Sequence, residues 1–409
     1  DQKEEYTRGF RQTRGIVGAE GVYLDGDSGW VPRFNDGLVR FVMEVQLPEP
    51  WHVISQGNGT SQDNQGVAHW ESNGLVEQVY LVGGPLLRYS DAAGAVEALV
   101  YLRAKDDALA RKYLDATAQY LEMYRELIGP YAYGKFALVE NFWETGYGMP
   151  SFTLLGSQVI RFPFILHSSY PHEILHNWWG NCVFVDSEKG NWCEGLTAYL
   201  ADHLVQEQRG LGDEYRRSTL QKYRDYVRDG RDFPLTEFRE RHSAATEAVG
   251  YGKALMMDHM LRRHIGDDAF RTGLAAFYRK QRGQRASFDD LRTEFEAAAA
   301  TDLREFFQQW TTRPGAPVLG VDNVQVQPTD AGFVVSGRLS QTQNSDPYPL
   351  QVPVTVLTAN GPHTSVVSTS AREQTFAVTV DAPPLSLHVD PMFDLFRLLD
   401  PRETPASIG

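Results

Sequence analysis

His172-Glu173-Ile174-Leu175-His176, set between Pro171 and Asn177-Trp178-Trp179-Gly180, places two histidines four residues apart with a glutamate directly after the first. On a helix, residues four apart lie one above the other, so both imidazoles can reach a single ion while Glu173 points about 100° away from His172. Pro171 suits a first helical turn because it lacks an amide hydrogen that would be unpaired there, and Gly180 can end the helix. The offset of Glu173 matters chemically. A carboxylate beside a metal rather than on it can take a proton from water and pass it to a leaving amine.

Such a pair needs a third ligand, since zinc in catalytic sites takes three protein ligands and keeps one position open. Glu194 supplies it, at the start of a helix predicted from Asn191-Trp192-Cys193-Glu194-Gly195-Leu196-Thr197 and capped by Asn191. Two antiparallel helices joined by residues 181–190 would then bring His172, His176 and Glu194 around one zinc ion, with Glu173 as the base. The bland alternative is an ordinary amphipathic helix, against which the placement of Glu194 argues.

Outward from the motif, residues 170–313 read as mostly helical. Helices are expected to about Gly210 and over 213–228, 250–265, 268–281, 287–299 and 302–311, with Ser287 and Asp290 in a capping-box pattern. Upstream, Asp106 to Leu127 reads as a helix with Leu109, Tyr113, Leu114, Leu121 and Leu127 on its buried stripe. Residues 22–100 read as strands punctuated by glycine, and Phe136 to Val139 as one more. Downstream of Val318, strands are expected at 324–326, 333–335, 352–357 and 375–380, as in a small sandwich. The expected organisation is α+β and multidomain: a β-rich domain over 1–92, a mostly helical domain over 93–315 and a β-sandwich over 316–409.

The chain of 409 residues carries 53 acidic and 39 basic residues, a net charge of −14. That field repels phosphate backbones, so no nucleic-acid partner is expected and neutral or cationic substrates fit better. No apolar run reaches membrane-spanning length. Asp1 opens a polar stretch without a signal-peptide core, so a soluble chain is expected; an export signal already removed would be compatible with a periplasmic or extracellular place. Compartment and oligomeric state stay open. Cys182 and Cys193 allow one local bridge or two buried thiols.

The residues also resemble a known family. His172 to His176 followed by Glu194, then Tyr251-Gly252-Lys253-Ala254, Trp310 and Pro314-Gly315-Ala316-Pro317, are similar to the zinc aminopeptidases of the alanyl-aminopeptidase (aminopeptidase N) type, which are gluzincin metallopeptidases. The likeness extends to Trp30-Val31-Pro32 and to Pro50-Trp51 through Gly57. It implies a β-sheet N-terminal domain, here entered partway, a thermolysin-like catalytic domain and a β-sandwich. It also implies peptide substrates and makes Tyr251 the donor that steadies the oxyanion, with Ala254 in place of the usual glycine.

Two departures stand out. Seventeen residues separate His176 from Glu194, one fewer than the family's usual spacing, and the shortening must fall within 181–190 if Glu194 is to keep its direction. The family's Gly-x-Met-Glu-Asn motif, whose glutamate pairs with the substrate's ammonium, is represented by Gly146-Tyr147-Gly148-Met149-Pro150-Ser151, with Pro150 and Ser151 where Glu and Asn are expected. Gly148 and Met149 then line the substrate, and Glu140 and Glu144 are the candidate replacements for the missing carboxylate. The expected function is peptide-bond hydrolysis by a zinc enzyme, aminopeptidase-like, with altered recognition of the amino terminus. The rival is a peptide-binding or assembly module that keeps the fold without turnover. Asp202 is a candidate to orient a zinc-binding histidine.

Overall fold

The computed structural model describes residues 15–32, 37–228 and 230–403. The chain divides into two compact units, the first of Asp1–Asp186, Leu200–Val205 and Arg271–Ala298, the second of Ser187–Tyr199, Gln206–Phe270 and Ala299–Gly409. The described residues have the expected class: β-rich at the start, helical in the middle, stranded at the end.

In the first unit, the strands Ile16–Gly18, Gly21–Leu24, Leu81–Gly84 and His52–Ile54 form one antiparallel sheet, and Val42–Gln46, Val67–Glu71 and Asn58–Thr60 another. The site depends on a five-stranded mixed sheet, ordered Gly146–Met149, Phe152–Gly156, Lys135–Asn141, Val96–Leu102, Leu87–Ala93. Its middle strand, Lys135-Phe136-Ala137-Leu138-Val139-Glu140-Asn141, is buried throughout and runs parallel to both neighbours, which explains its nearly continuous apolar run. The helix Asp107–Leu127 connects two of the parallel strands, and Asp106 caps it by accepting from Leu109 N at 3.0 Å. Its buried face is richer in phenols than the aliphatic stripe suggests. Tyr113, Tyr120 and Tyr124 donate to the carbonyls of Ile160, Leu166 and Pro171, which satisfies their hydroxyls inside the core.

The motif helix spans Ser169–Leu175 and stops at His176, shorter than the predicted run to Gly180. Both tryptophans after it are fully buried, and Trp178 Nε1 donates to Gly129 O at 3.0 Å. The chain turns to seat them, and Gly180 closes the turn with φ 93°. His176 N still bonds His172 O at 3.2 Å, so the four-residue stacking of the histidines survives.

The second unit holds the helix Cys193–Ala198, after which the chain continues through a π-helical stretch, Tyr199–His203, and the helix Leu204–Gln208, with Leu200–Val205 belonging to the first unit. Asn191 acts one position earlier than expected: Trp192 is the N-cap, while Asn191 Oδ1 accepts from Cys193 N at 3.1 Å. The helix predicted at 250–265 begins sooner, with Ser243 capping Ala244–Glu247, a second π-helical stretch at Ala248–Lys253, and Ala254–Ile265 beyond it. The remaining helices, Gly212–Tyr226, Asp267–Gln281, Phe288–Ala299 and Arg304–Thr312, fall within a few residues of expectation. Ser287 N and Oγ both donate to Asp290 Oδ2, at 2.8 and 2.7 Å.

Two three-stranded antiparallel sheets end the chain, one of Leu319–Thr329, Gly332–Gln341 and Glu373–Val380, the other of Gly361–Thr369, Leu350–Thr358 and Pro384–Val389. Alternate residues, among them Val335, Leu339, Val352, Val354, Val356, Phe376 and Val378, form the buried side. Among the described residues, no helix is long and apolar enough to cross a membrane. Cys182 and Cys193 are buried and are not bridged to each other.

Candidate metal centre and its surroundings

The motif helix carries His172, Glu173 and His176 on one turn and its continuation. Their ring partners fix what the histidines can offer. His172 Nδ1 lies 2.9 Å from Asp202 Oδ2, and His176 Nδ1 lies 3.2 Å from Trp179 O. A carboxylate and a carbonyl only accept, so each Nδ1 carries the hydrogen and each Nε2 is the lone pair the ring would offer a metal. Asp202 thus occupies the orienting place suggested for it, and the π-helical stretch is what carries it. The two rings stand edge to face, 4.8 Å between centroids.

Glu194 lies in the first turn of the helix Cys193–Ala198. His172, His176 and Glu194 each offer one ligand atom, and these atoms all lie within 4.8 Å of one another. Among the described residues this is the group of histidine, cysteine and carboxylate side chains close enough to hold an ion. Two imidazoles and one carboxylate are a borderline-soft donor set that suits zinc and leaves a fourth position open.

The edge strand Gly146–Met149 runs directly beside the motif helix. A Cβ on Gly148 would fall 2.4 Å from Glu173 Oε2 and 3.2 Å from His176 Cδ2, so any side chain there would push the Glu173 carboxylate aside. Met149 is buried in the sheet's core with Phe152 and Leu154. Pro150 follows, and Ser151 is wholly buried with φ 66°, a left-handed backbone that side chains other than Gly and Asn seldom adopt.

The two acidic residues put forward to meet an ammonium are engaged elsewhere. Glu140 is buried, with Oε1 2.7 Å from Arg161 Nη1 and Oε2 accepting from Arg103 N at 2.8 Å. Glu144 accepts from Gln158 N at 2.9 Å and Val159 N at 3.4 Å.

Tyr251 sits within the π-helical stretch Ala248–Lys253 and is partly exposed. Its ring meets Phe238 edge to face at 6.0 Å, and the Arg241 guanidinium carbon lies 5.6 Å from its centre. Gly250 makes that packing possible, since a Cβ there would fall 2.3 Å from the Phe238 ring. Lys253 donates to Arg313 O at 2.7 Å, and burial pushes its ammonium down to about 8. Gly195 and Ala254 touch: a Cβ on Gly195 would fall 2.1 Å from Ala254 Cβ, so the alanine is accommodated by the glycine facing it.

A His-Glu-x-x-His helix with a downstream glutamate thus stands on a fold of stranded, helical and stranded parts. Residues 167–310 match the peptidase family M1 domain. It is 25% identical to aminopeptidase N of Lactococcus lactis subsp. lactis over 163 residues, 37% of this chain and 19% of that protein. It is 25% identical to the mitochondrial aminopeptidase 2 of Saccharomyces cerevisiae over 207 residues, 48% of this chain and 21% of the relative. The aligned stretches thus cover about a fifth of these relatives' length. The fold is similar to the crystal structure of Legionella pneumophila aminopeptidase A in complex with aspartic acid, with a TM-score of 0.71 at 16% identity, covering 94% of this chain and 48% of that one.

Proposed function

We propose that the chain is a zinc-dependent metallopeptidase of the aminopeptidase type, with one zinc ion held by His172, His176 and Glu194. The observation that carries this is the convergence of those three ligand atoms within 4.8 Å. When bound, zinc supplies Lewis-acid polarisation of the scissile carbonyl and an acidified water. Glu173 takes the proton of the attacking water and returns it to the leaving amine, for which its place beside the ligands suits it. Asp202 and the Trp179 carbonyl hold the two imidazoles in the ligating tautomer. Tyr251 donates to the oxyanion of the tetrahedral intermediate.

Recognition of the substrate's amino terminus differs from that of the relatives. Pro150 and Ser151 bring no carboxylate to the strand beside the base, and Glu140 and Glu144 already satisfy backbone amides and Arg161. An extended peptide laid along Gly146–Met149 is therefore held chiefly through its backbone and side chains.

Elemental analysis of protein purified without added metal, together with turnover of a mixed peptide library, tests the reading. One zinc per chain and cleavage are expected. Metal-free protein that gains neither zinc nor activity on zinc addition would sink it, and zinc binding without any cleavage would leave the non-catalytic module.

A further inference from the structure

Lys135, Ser151 and Asn177 form a sealed polar chain behind the edge strand, 4%, 0% and 0% exposed. Every polar group of Ser151 is engaged. Its amide donates to Asn177 Oδ1 at 2.6 Å, and its hydroxyl oxygen accepts from Lys135 Nζ at 2.7 Å and from Gly57 N at 3.1 Å. Its carbonyl accepts from Lys135 Nζ and from Ala137 N, both at 3.1 Å. Lys135 completes its set on Ser55 O at 2.8 Å and lies near the rings of Trp70 and Phe152, 4.9 and 5.2 Å from their centres. Asn177 Nδ2 reaches back to Ile174 O at 2.9 Å and Glu173 O at 3.4 Å.

An ammonium and an amide with almost no exposure are costly unless each is fully bonded, and a serine at φ 66° is held there against its own preference. The chain of bonds has a definite output. Ser151 lies two residues beyond the strand whose Gly148 backbone abuts the Glu173 carboxylate, and Asn177 lies four residues after Glu173, just past the end of the motif helix. The same three side chains therefore grip the strand and the helix that meet at Glu173.

We infer that Lys135, Ser151 and Asn177 are positioning residues that fix the height of the Gly146–Met149 strand over Glu173, and so the direction of the base's carboxylate. This rests on the reading of Glu173 as the base. None of the three touches substrate. Lys135 acts through Ser151, and Ser151 through the strand.

Ser151→Gly isolates the effect, since glycine adopts positive φ without strain and keeps the amide and carbonyl bonds while losing the hydroxyl. Lys135→Met is the second variant, removing the ammonium while filling the space between the rings. Both are measured as full-length protein for zinc content, for kcat and KM on one peptide, and for amide hydrogen exchange of the segment 146–152. Retained zinc, a kcat lowered about tenfold or more with KM within about twofold, and exchange in 146–152 accelerated tenfold are expected. Parent-like kcat and parent-like exchange would overturn the inference, as would a loss carried by KM alone. If the parent itself proves inactive, the functional reading fails, and exchange alone then decides the mechanical coupling.

Discussion

At the residue scale, the proposed function has Glu173 and its neighbours divide the work between binding a metal and moving a proton. Glu173→Gln keeps the shape but cannot accept a proton, so it should retain zinc while kcat falls by several orders of magnitude; activity near the parent's would remove Glu173 as the base. Asp202→Asn leaves the His172 ring in place but weakens the hold on its Nδ1 hydrogen, the bond now being 2.9 Å long. Outer partners of this kind typically matter by 10–100-fold in metal affinity, and competition with a chelator should show a loss in that range. A variant that releases zinc no faster than the parent would make Asp202 a packing residue. For Tyr251, loss of the hydroxyl alone separates oxyanion stabilisation from packing, because the ring contact with Phe238 survives in phenylalanine. Tyr251→Phe should lower kcat at least tenfold and move KM little, and an effect confined to KM would contradict the assigned role.

At the scale of elements, the meeting of edge strand and motif helix makes Gly148 a sensitive position. A methyl group there would lie 2.4 Å from a carboxylate oxygen at the end of a flexible side chain, so the fold can yield but the base must swing aside. Gly148→Ala should unfold within a few degrees of the parent and lose activity at least tenfold; unchanged kinetics would show that Glu173 does not need this approach. The sequence exposed the parts of this arrangement that are local. His172 and His176 declare themselves by spacing, Ser287 and Asp290 by capping chemistry, and Glu194 by the valence a zinc site still needs. What stayed hidden depends on distant packing. The motif helix stops at His176 because two tryptophans must reach the core, and neither is periodic. The π-helical stretches around Tyr199–His203 and Ala248–Lys253 shift the pairing by one residue to suit contacts such as Gly250 under Phe238, which no window on the chain records. Lys135 precedes the strand expected at Phe136 to Val139, and its charge gives no sign that it is buried between two aromatic rings. The strands Gly361–Thr369 and Pro384–Val389 escaped notice because Val366 and Leu385 are exposed while His363, Ser365 and Ser386 are half-buried, which blurs the alternation.

At the scale of the whole molecule, the proposal is that a peptide's amino terminus is met by a general negative field rather than by a dedicated carboxylate. A net charge of −14 attracts an ammonium over distance, but a diffuse field is screened within about 8–10 Å at ordinary ionic strength. A buried, directed pair would instead contribute on the order of 2–5 kcal/mol and resist salt. The candidate residues supply the field and not the pair: Pro150 and Ser151 carry no charge, Glu140 is closed by Arg161 and the Arg103 amide, and Glu144 is closed by the amides of Gln158 and Val159. Rates on one peptide with a free and with an acetylated amino terminus should therefore differ by less than about a hundredfold, roughly 2.7 kcal/mol at 1.36 per tenfold. The difference should shrink further as salt is raised from about 0.05 to 0.5 M, because what remains of it is long-range attraction. A preference above a hundredfold that does not change with salt would mean that a carboxylate is paired with the ammonium after all. Glu140→Gln and Glu144→Gln would then identify it, since the one that captures the amine must lose the preference while keeping turnover of the acetylated peptide.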